Sequence, residues 1–449
     1  MRLILAIWAG KIISYFTSLF GLGKASAAPG LVGLKIYPNL IRDLAKEIKQ
    51  KRIVISATNG KTTTSAMIRA VLDEVSASYI SNETGSNLLR GIASSMIASC
   101  DWNAKFDADY GIFEVDEAVL PYAIKEIKPD IIILGNIFRD QLDRYGEIDT
   151  ILAKWKSALQ NASNDVKIIL NADDPGIAVL RNGLRQETIF YGIKAQQADN
   201  KVLLEHAADT INCPDCHEEL KYKNRQFSHL GDYFCPHCGF KRPKIDILAE
   251  DIKIKANKIS FQWFDKQVMI NIAGVYNVYN ALAAISAGRV LDIANDSIIN
   301  ALKNVKPAFG RMEEFKLNDQ QFKIILIKNP TGANTVLEAI KQAKNKILLI
   351  ALNDNIADGT DVSWIYDVDF EKLEDVAQII CLGVRKYDLA IRLKYAGIEK
   401  RKITIGSDYI QEIEKLSKNN QDIIYILPTY TAMLALRKQL EKRKIVNKI

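Results

Sequence analysis

Residues 53–64 read Ile-Val-Ile-Ser-Ala-Thr-Asn-Gly-Lys-Thr-Thr-Thr, and this stretch decides the fold of the chain. A β-branched apolar run ends in a small polar loop, and Gly-Lys-Thr then opens a segment with helical character that extends to Val75. Backbone N–H groups of such a loop and of the following helix N-terminus converge on one point and favour an anion there. Lys61 adds a positive charge for the β- and γ-phosphates, and the Thr62 hydroxyl is a ligand for Mg²⁺. The stretch therefore predicts a strand, a phosphate-binding loop and a helix that bind ATP, with contacts from Thr58, Asn59, Gly60, Lys61, Thr62 and Thr63.

The loop departs from the general phosphate-loop pattern at one position. Ile55 stands where that pattern has a glycine, so this is not the common NTPase version. The alternative is a chance Gly-Lys-Thr on an ordinary strand–helix turn. Because the strand, the loop and the helix all fall in register with the motif, we favour the phosphate-binding interpretation.

Length, charge and the N-terminus limit the class of protein. The 449 residues indicate two to four domains, and a net charge of +7 spread along the chain does not indicate nucleic-acid binding. Residues 1–20 are apolar except for Arg2 and Lys11, and they are too short and interrupted for a bilayer span. Residues 25–28 resemble a signal-peptidase site, but export would separate an ATP-binding chain from its ATP. We therefore predict a retained helix that packs on the protein or lies on the inner membrane surface, in a cytoplasmic protein peripheral to the plasma membrane.

Four of the six cysteines form a metal-site pattern. They occur as two Cys-x-x-Cys pairs, separated by eighteen residues: Cys213 with Cys216 and Cys235 with Cys238. This spacing predicts a Cys₄ zinc ribbon, in which two knuckles hold one tetrahedral ion. Two disulfides are the alternative, which a reducing cytosol disfavours.

The remaining pattern is α/β. Between residues 40 and 205, predicted strands at 53–56, 110–115, 131–134, 167–170 and 188–191 alternate with helices, as in a doubly wound parallel sheet. Further strands are expected at 252–254, 259–264 and 267–272, followed by helices at 277–291 and 298–305. A second α/β pattern, with strands at 322–327, 347–351, 378–382 and 422–427, indicates a Rossmann-like domain. The predicted domains are an N-terminal extension (1–39), a central ATP-binding domain (40–312, ribbon insert 206–245) and a C-terminal domain (313–449).

Polar side chains follow three of the predicted strands where each strand ends. Glu114 ends the strand beside the phosphate loop and is the expected Mg²⁺ ligand, although Asp116 and Glu117 compete for that role. Asn136 opens a polar run that suits a ligand crevice. The run Asn171-Ala-Asp173-Asp-Pro suits either a nucleotide contact or an Asx-turn before a helix.

Five motifs occur together in an order that resembles the Mur ligase family, the ATP-dependent amide-bond formers of peptidoglycan synthesis. They are Ala57-Thr-Asn-Gly-Lys-Thr-Thr63, Asn136-x₃-Asp-Gln-Leu-Asp-x₂-Gly146, Asn171-Ala-Asp-Asp-Pro175, Gly274-x-Tyr-Asn-x₂-Asn-Ala-Leu-Ala-Ala284 and Gly310-Arg-Met-Glu313. The Cys₄ ribbon and the run Asn353-Asp-Asn-Ile-Ala-Asp-Gly-Thr-Asp-Val-Ser-Trp364 resemble the branch of the family that amidates lipid II. The resemblance covers roughly residues 40 to 430. It implies a phosphoryl-transfer role for Lys61 and Glu114, and nucleotide or substrate contacts by Asn82, Thr84, Asn136, Asn171, Asp173, Asn277 and Arg311.

The chain departs from the family pattern in four ways. Ala57 replaces a glycine, and Gln141 replaces a histidine that helps hold a second Mg²⁺ in typical members, so a second metal site is not established. Lys154 lies one residue out of register with the lysine that many members carbamylate. The UDP-binding domain of standard members is absent, which a lipid-linked substrate would explain.

The resemblance implies ATP-dependent amidation of the D-isoglutamate α-carboxyl of the lipid II stem peptide, through an acyl phosphate attacked by ammonia. Glutamine hydrolysis usually needs a Cys–His pair, whereas all four histidines lie in or beside the ribbon. A separate glutaminase subunit is therefore expected, and the resemblance implies that it is GatD-like and contacts the C-terminal domain. The resemblance further implies that an Asp of this chain completes the partner's Cys–His pair, Asp361 first and Asp358 second. The alternatives are a folylpolyglutamate-synthase-like ligase and a nucleic-acid-binding ATPase that uses the ribbon.

Overall fold

The computed structural model describes residues 1–19, 27–82, 86–139, 148–194, 209–255, 258–272, 274–305, 311–341, 343–373, 375–418 and 423–446. The chain divides into two compact units: the described residues up to 305 form the first, except Arg139 and Asp209, which group with the described residues from 311 onward in the second. The predicted domain boundary at 312/313 lies inside the first strand of the second unit.

Three helices open the first unit: α1 (Arg2–Leu19), α2 (Ala28–Ile36) and α3 (Leu40–Ala45). Helix α1 packs on α2, which packs on α5 (Leu89–Ser99). Glycine permits this close approach, because a Cβ on Gly30 would lie 1.9 Å from the Arg90 carbonyl oxygen. Among the residues described, no helix combines the length and the apolar character needed to cross a bilayer.

A nine-stranded sheet forms the centre of the first unit, in the order β11-β10-β9-β6-β5-β4-β1-β3-β2. The seven strands from β9 to β2 pair in parallel, and β10 and β11 add an antiparallel edge. Helices cover both faces of such a sheet, so its central strands are continuous apolar runs, and Ile131–Leu134 is buried at every position. The strands are β1 (Lys51–Ser56), β2 (Tyr79–Ser81), β3 (Tyr110–Glu114), β4 (Ile131–Leu134), β5 (Lys167–Asn171), β6 (Thr188–Ile193), β9 (Ile247–Lys255), β10 (Lys258–Trp263) and β11 (Lys266–Ile270).

Helix α9 (Tyr276–Val290) is the central helix of this unit, since it packs on α4 (Lys61–Glu74) and on strands β5 and β6. It is buried along most of its length, and the apolar core of the unit forms around it. The other helices are α6 (Leu120–Ile127), α7 (Ile148–Gln160), α8 (Pro175–Ala178) and α10 (Asn295–Lys303), with a 3₁₀ turn at Val179–Arg181.

The cysteine-containing insert lies between β6 and β9 in the sequence. It contains the antiparallel hairpin of β7 (Lys221–Phe227) and β8 (Leu230–Phe234), with single bridges joining residues 212 to 219 and 234 to 241. Residues 206–208 of the predicted insert lie outside the described part of the chain.

The second unit is a six-stranded sheet in the order β12-β13-β17-β14-β15-β16, parallel except for the β12–β13 pair, with a buried core on each face. Its strands are β12 (Arg311–Leu317), β13 (Gln320–Ile325), β14 (Lys346–Ala351), β15 (Val376–Leu382), β16 (Ile403–Ile405) and β17 (Ile424–Pro428). Its helices are α11 (Pro330–Ala339), α12 (Lys386–Tyr395), α13 (Tyr409–Leu416) and α14 (Tyr430–Lys442), with 3₁₀ turns at Ser363–Asp367, Phe370–Lys372 and Lys400–Lys402.

The predicted α/β class, with its parallel sheets and inserted cysteine element, is confirmed. Strands β2, β12 and β16 were not predicted, since they are short or rich in charge, and no bounds were predicted for β7 and β8 within the ribbon. Of the strands expected between 252 and 272, the first belongs to β9, which pairs in parallel with β6, and the other two are β10 and β11, the antiparallel edge.

Candidate active site

The phosphate loop joins β1 to α4 and owes its shape to Gly60. This residue has φ +93°, a left-handed conformation that glycine adopts without steric cost. A Cβ at this position would lie 2.2 Å from Oδ1 of Asn280 on α9. Glycine is therefore required both for the backbone conformation and for the lack of a side chain. Helix α4 begins at Lys61, so the N–H groups of its first turn point toward the predicted phosphate position.

Asn136, which follows β4, holds the phosphate loop by its backbone. Its Oδ1 accepts from the Asn59 N–H at 2.9 Å, and its Nδ2 donates to the Asn59 carbonyl at 2.9 Å. The Thr58 hydroxyl accepts from the Phe138 N–H at 3.0 Å. Asn136 and Thr58 were predicted to contact the nucleotide. The hydrogen bonds of Asn136 to Asn59 and of Thr58 to Phe138 give these two side chains a role in positioning the loop.

Lys61 is almost fully buried and has an acidic partner within the chain. Its Nζ lies 2.8 Å from Oε2 of Glu117 and also donates to the Ala57 carbonyl. The Glu117 backbone carbonyl in turn accepts from Trp155 Nε1 at 2.8 Å. A phosphate bound at the loop would therefore share or replace Glu117 as the partner of Lys61. From its sequence context, Glu117 was expected only as an alternative to Glu114 as the Mg²⁺ ligand.

The structure brings the two predicted Mg²⁺ ligands together. The Thr62 hydroxyl donates to Oε1 of Glu114 at 2.7 Å. Neighbouring oxygen ligands of an octahedral Mg²⁺ lie about 2.9 Å apart, so these two oxygens fit adjacent positions around one ion. Asn82 fixes the Glu114 backbone, because its Oδ1 accepts from the Glu114 N–H at 2.9 Å and its Nδ2 donates to the carbonyl at 2.8 Å.

Two asparagines of α9 face the phosphate loop from the other side. Asn280 Nδ2 donates to Asn277 Oδ1 at 2.9 Å, and Asn280 Oδ1 accepts from the Thr64 hydroxyl at 3.3 Å. This pair packs α9 against the loop and the first turn of α4. The adenine contact of Asn277 stays a prediction. So do the phosphate or substrate contact of Thr84 and the ribose or phosphate contact of Arg311, because Thr84 and the Arg311 side chain lie outside the described part of the structure. Gln141 lies there too.

The turn after β5 is internally bonded, as the Asx-turn alternative required. Asn171 Oδ1 accepts from the Asp173 N–H at 3.0 Å. Both carboxylate oxygens of Asp173 are engaged within the chain, Oδ1 by Arg242 at 3.0 Å and Oδ2 by the Tyr279 hydroxyl at 2.8 Å. Burial raises the pKa of Asp173 to about 6, and the Arg242 charge opposes that rise. A nucleotide contact by the Asp173 side chain would have to displace these partners.

The four predicted metal ligands converge. Their sulfur atoms all lie within 4.8 Å of one another, with Cys213 Sγ 3.5 Å from Cys238 Sγ and Cys216 Sγ 3.4 Å from Cys235 Sγ. Tetrahedral zinc with Zn–S bonds of about 2.3 Å places sulfurs about 3.8 Å apart, so the cluster fits one metal ion. These separations are far longer than a disulfide bond of about 2.05 Å. Backbone N–H groups of Cys238 and His237 lower the pKa of Cys235 to about 6, which favours the thiolate that a metal needs, whereas burial raises the pKa of Cys213.

The β7–β8 hairpin connects this cluster to the turns after β4 and β5. The Gly231 N–H donates to the Asp173 carbonyl at 2.9 Å. The buried His229 ring lies 4.6 Å from the Phe138 ring, and its Nε2 is 3.4 Å from Oδ2 of Asp174. Neither His229 nor Arg242 belongs to a motif, so only their spatial neighbours reveal what they do.

The two aspartates proposed for the partner's triad differ in accessibility. Asp358 is buried, and its carboxylate accepts from the Thr431 N–H at 2.8 Å and from the Thr431 hydroxyl. Asp361 is exposed, and its Oδ1 accepts from the Ser363 N–H at 2.8 Å.

Lys154, the lysine one residue out of register with the one that many family members carbamylate, lies on α7 and is exposed, whereas its neighbour Trp155 is buried.

Comparison with known proteins identifies the family. Residues 55–288 match the Mur ligase middle domain, and residues 326–433 match the MurT ligase C-terminal domain. The chain is 34% identical to the lipid II isoglutaminyl synthase (glutamine-hydrolyzing) subunit MurT of Streptococcus pneumoniae, over 100% of this chain and 99% of that protein. It is 35% identical to the corresponding subunit of Staphylococcus aureus strain COL, over 93% of each chain.

A solved structure shares the fold. The pseudomurein peptide ligase type C of Methanothermus fervidus aligns with a TM-score of 0.68 at 23% identity, covering 90% of this chain and 81% of that one. The matches favour neither the folylpolyglutamate-synthase-like alternative nor the nucleic-acid-binding one. The family resemblance predicted from the motifs is thus confirmed: the chain belongs to the MurT family of Mur ligases and is a ligase.

Proposed function

We propose that this chain is the ATP-using subunit of a lipid II isoglutaminyl synthase, and that it converts the D-isoglutamate α-carboxyl of the stem peptide to the amide of D-isoglutamine. The printed names of the Streptococcus pneumoniae and Staphylococcus aureus relatives support the reaction. The observation that carries the proposal is the arrangement of Lys61, Thr62 and Glu114 around the phosphate loop. These are the groups that phosphoryl transfer needs at a carboxylate acceptor.

The chemistry requires activation of a poor acyl donor. A carboxylate oxygen of the substrate attacks the γ-phosphorus of ATP, the bond to the β-phosphate oxygen breaks, and ADP leaves. Ammonia then attacks the carbonyl carbon of the acyl phosphate, loses a proton and expels inorganic phosphate, which leaves the amide. Lys61 and the N–H groups at the start of α4 stabilise charge on the transferred phosphoryl group. Thr62 and Glu114 would hold the Mg²⁺ ion, which neutralises phosphate charge when bound.

Ammonia comes from a separate GatD-like glutaminase in this proposal. Cys100 and Cys381 are buried, and burial raises the pKa of both thiols, which disfavours a nucleophilic thiolate. The word "subunit" in the relatives' names supports a partner chain. Asp361 is the better candidate to complete the partner's Cys–His pair, because its carboxylate reaches the surface and that of Asp358 does not.

The substrate also suggests where the protein works. Lipid II is membrane-anchored and ATP is cytosolic, so we place the reaction at the inner face of the plasma membrane. The Cys₄ cluster holds a structural zinc ion in this account, since all four of its ligands come from the protein and leave no open position.

The test is glutamine- and ATP-dependent amidation of lipid II by the purified complex, followed by mass spectrometry. Lys61→Met and Glu114→Gln should each lower kcat at least about a hundredfold, because each removes a charge that acts on the transferred phosphoryl group. Lys125→Met on α6 is the matched control, since it removes an exposed lysine from the same unit. Retention of amidation by Lys61→Met would refute the site assignment, and failure of the wild-type complex to amidate lipid II would refute the function.

A further inference from the structure

Helix α1 presents a continuous apolar face to the outside of the first unit. The large exposed apolar side chains of this helix and of the residue before it are Met1, Leu5, Trp8, Ile12, Tyr15 and Phe16. At 100° per residue these six positions fall within an arc of about 100°, so they form one stripe along about 22 Å of helix. We call this stripe the N-terminal apolar face.

The opposite side of α1 is fixed to the protein. Ala6 and Ile7 are fully buried, and a Cβ on Gly10 would lie 2.8 Å from the Ile97 side chain of α5. Lys11 Nζ donates to the Cys100 carbonyl at 2.6 Å, which ties the helix to the end of α5. The helix is therefore packed as part of the unit, and the N-terminal apolar face belongs to the folded protein.

A pair of tryptophans lies at the edge of this face. Trp8 Nε1 donates to the Trp102 carbonyl at 3.0 Å, and the two rings meet edge to face with centroids 6.2 Å apart. Trp102 is itself more than half exposed. Tryptophan has an apolar ring and a polar N–H, and for that reason it concentrates at membrane–water interfaces.

The N-terminal segment of the sequence, which carries the face, is basic. Residues 1–42 contain five basic residues and no acidic one; the basic residues are Arg2, Lys11, Lys24, Lys35 and Arg42. Of these, Arg42 is ion-paired with Glu126, and Asp101, the sequence neighbour of Trp102, accepts from the backbone N–H groups of Asn103 and Lys105 at 2.8 Å each. An apolar stripe beside basic residues complements a surface of apolar chains under anionic headgroups. Two copies of the same basic segment would instead repel each other.

We propose that the N-terminal apolar face lies in the headgroup region of an anionic lipid bilayer, with α1 parallel to the membrane plane. The parallel orientation follows from the packing, because the buried side of α1 cannot leave α2 and α5 to enter lipid. The inference deepens the proposed function, since a ligase docked in this way meets a lipid-linked substrate at the surface where that substrate resides. Docking itself does not depend on which reaction the protein performs.

The test is co-sedimentation of the full chain, with its partner glutaminase, on vesicles. One set contains phosphatidylglycerol and phosphatidylcholine, and the other contains phosphatidylcholine alone. The double variant Leu5→Glu with Ile12→Glu places two charges in the centre of the face, at side chains that are each 50% exposed and so tolerate substitution. Phe264→Glu, at an exposed phenylalanine between β10 and β11, is the matched control.

We expect the wild type and the Phe264→Glu control to bind the phosphatidylglycerol vesicles, more weakly as salt is added, and the double variant to bind at least about tenfold more weakly. Equal binding by the double variant, equal binding to both vesicle types, or no binding by the wild type would each overturn the proposal. So would a wild-type dimer that the double variant converts to a monomer, because the face would then belong to a second copy.

Amidation of detergent-solubilised lipid II separates the two hypotheses. The double variant should keep wild-type turnover there while it loses vesicle binding. If the wild type binds vesicles but does not amidate, the proposed function fails and the docking surface stands.

Discussion

The ion pair of Arg242 with Asp173 leads to a stability prediction that can be worked out from the structure. The Asp173 side chain is 0% exposed and the Arg242 side chain 15%, and the nearest oxygen and nitrogen atoms are 3.0 Å apart. Arg242→Met removes the guanidinium and keeps an apolar stem of similar length. Asp173 then retains the Tyr279 hydroxyl and the Ile193 N–H as partners but has no positive charge beside it.

The pH dependence follows from the pKa of Asp173. Its value of about 6 in the folded protein lies above the ordinary aspartate pKa of 3.8, so the folded state holds the proton more tightly than the unfolded state. Stability linked to this group is therefore greatest below the unfolded pKa and is lost as the pH rises through the folded pKa. Arg242→Met should raise the folded pKa further, so the variant should lose more stability than the wild type between pH 6 and 8. An arginine this close lowers a carboxyl pKa by about 1–3 units, so its loss, at about 1.4 kcal/mol per unit, should make the difference grow by about 2 kcal/mol from pH 5 to pH 8.

We expect Arg242→Met to lower the free energy of unfolding by about 3 kcal/mol at pH 8, as for a broken buried ion pair, and by about 1 kcal/mol at pH 5. Urea unfolding followed by tryptophan fluorescence measures this, because four of the five tryptophans lie in the first unit. Lys221→Met, which removes an exposed ion pair from the same ribbon, is the control and should cost under about 0.5 kcal/mol.

A destabilisation by Arg242→Met that is the same at pH 5 and pH 8 would refute this account. A second refutation would come from the double variant with Asp173→Asn, if the excess loss of stability at high pH persisted without the carboxylate.

Three further predictions concern the loop, the metal and the partner. Asn136→Ala should raise KM for ATP about tenfold, since it removes two hydrogen bonds that hold the Asn59 backbone, and steady-state amidation kinetics would reveal an unchanged KM as the contrary result. Cys213→Ser should abolish the binding of about one zinc ion per chain in elemental analysis and lower the unfolding temperature; equal zinc in the variant and the wild type would contradict the Cys₄ site. Asp361→Asn should reduce glutaminase activity of the complex at least about tenfold at an unchanged unfolding temperature, whereas Asp358→Asn should lower that temperature because its carboxylate is bonded internally. The reverse pattern for the two aspartates would exchange their roles.

The strand, loop and helix at 51–74 could be predicted because their signals are local. Apolar periodicity, a glycine at a left-handed position and a helix start lie within a few residues of one another. The proximity of Glu114 to Thr62 was predictable for a different reason: β1 and β3 are parallel neighbours, so their carboxyl ends meet at one edge of the sheet.

The roles of Asn136 and Asp173 could not be settled from the sequence. Both occupy strand ends where a ligand contact and a structural contact have the same local signature. The choice depends on partners distant in the chain, Asn59 for the first and Arg242 for the second. Arg242 belongs to no recognisable pattern, and nothing in the sequence pairs Glu117 with Lys61.

These distant contacts give the Cys₄ ribbon a connection to the phosphate loop. The hairpin of the ribbon brings His229 to Asp174, whose Oδ2 also accepts from the Ile137 N–H at 2.9 Å. The next residue, Phe138, donates its N–H to the Thr58 hydroxyl at the start of the loop. A metal ion that fixes the hairpin would therefore act on the loop through two turns of the same sheet edge. Because each link is a single hydrogen bond, ring contact or close polar contact, we expect loss of a bound metal to weaken nucleotide binding before it unfolds the sheet.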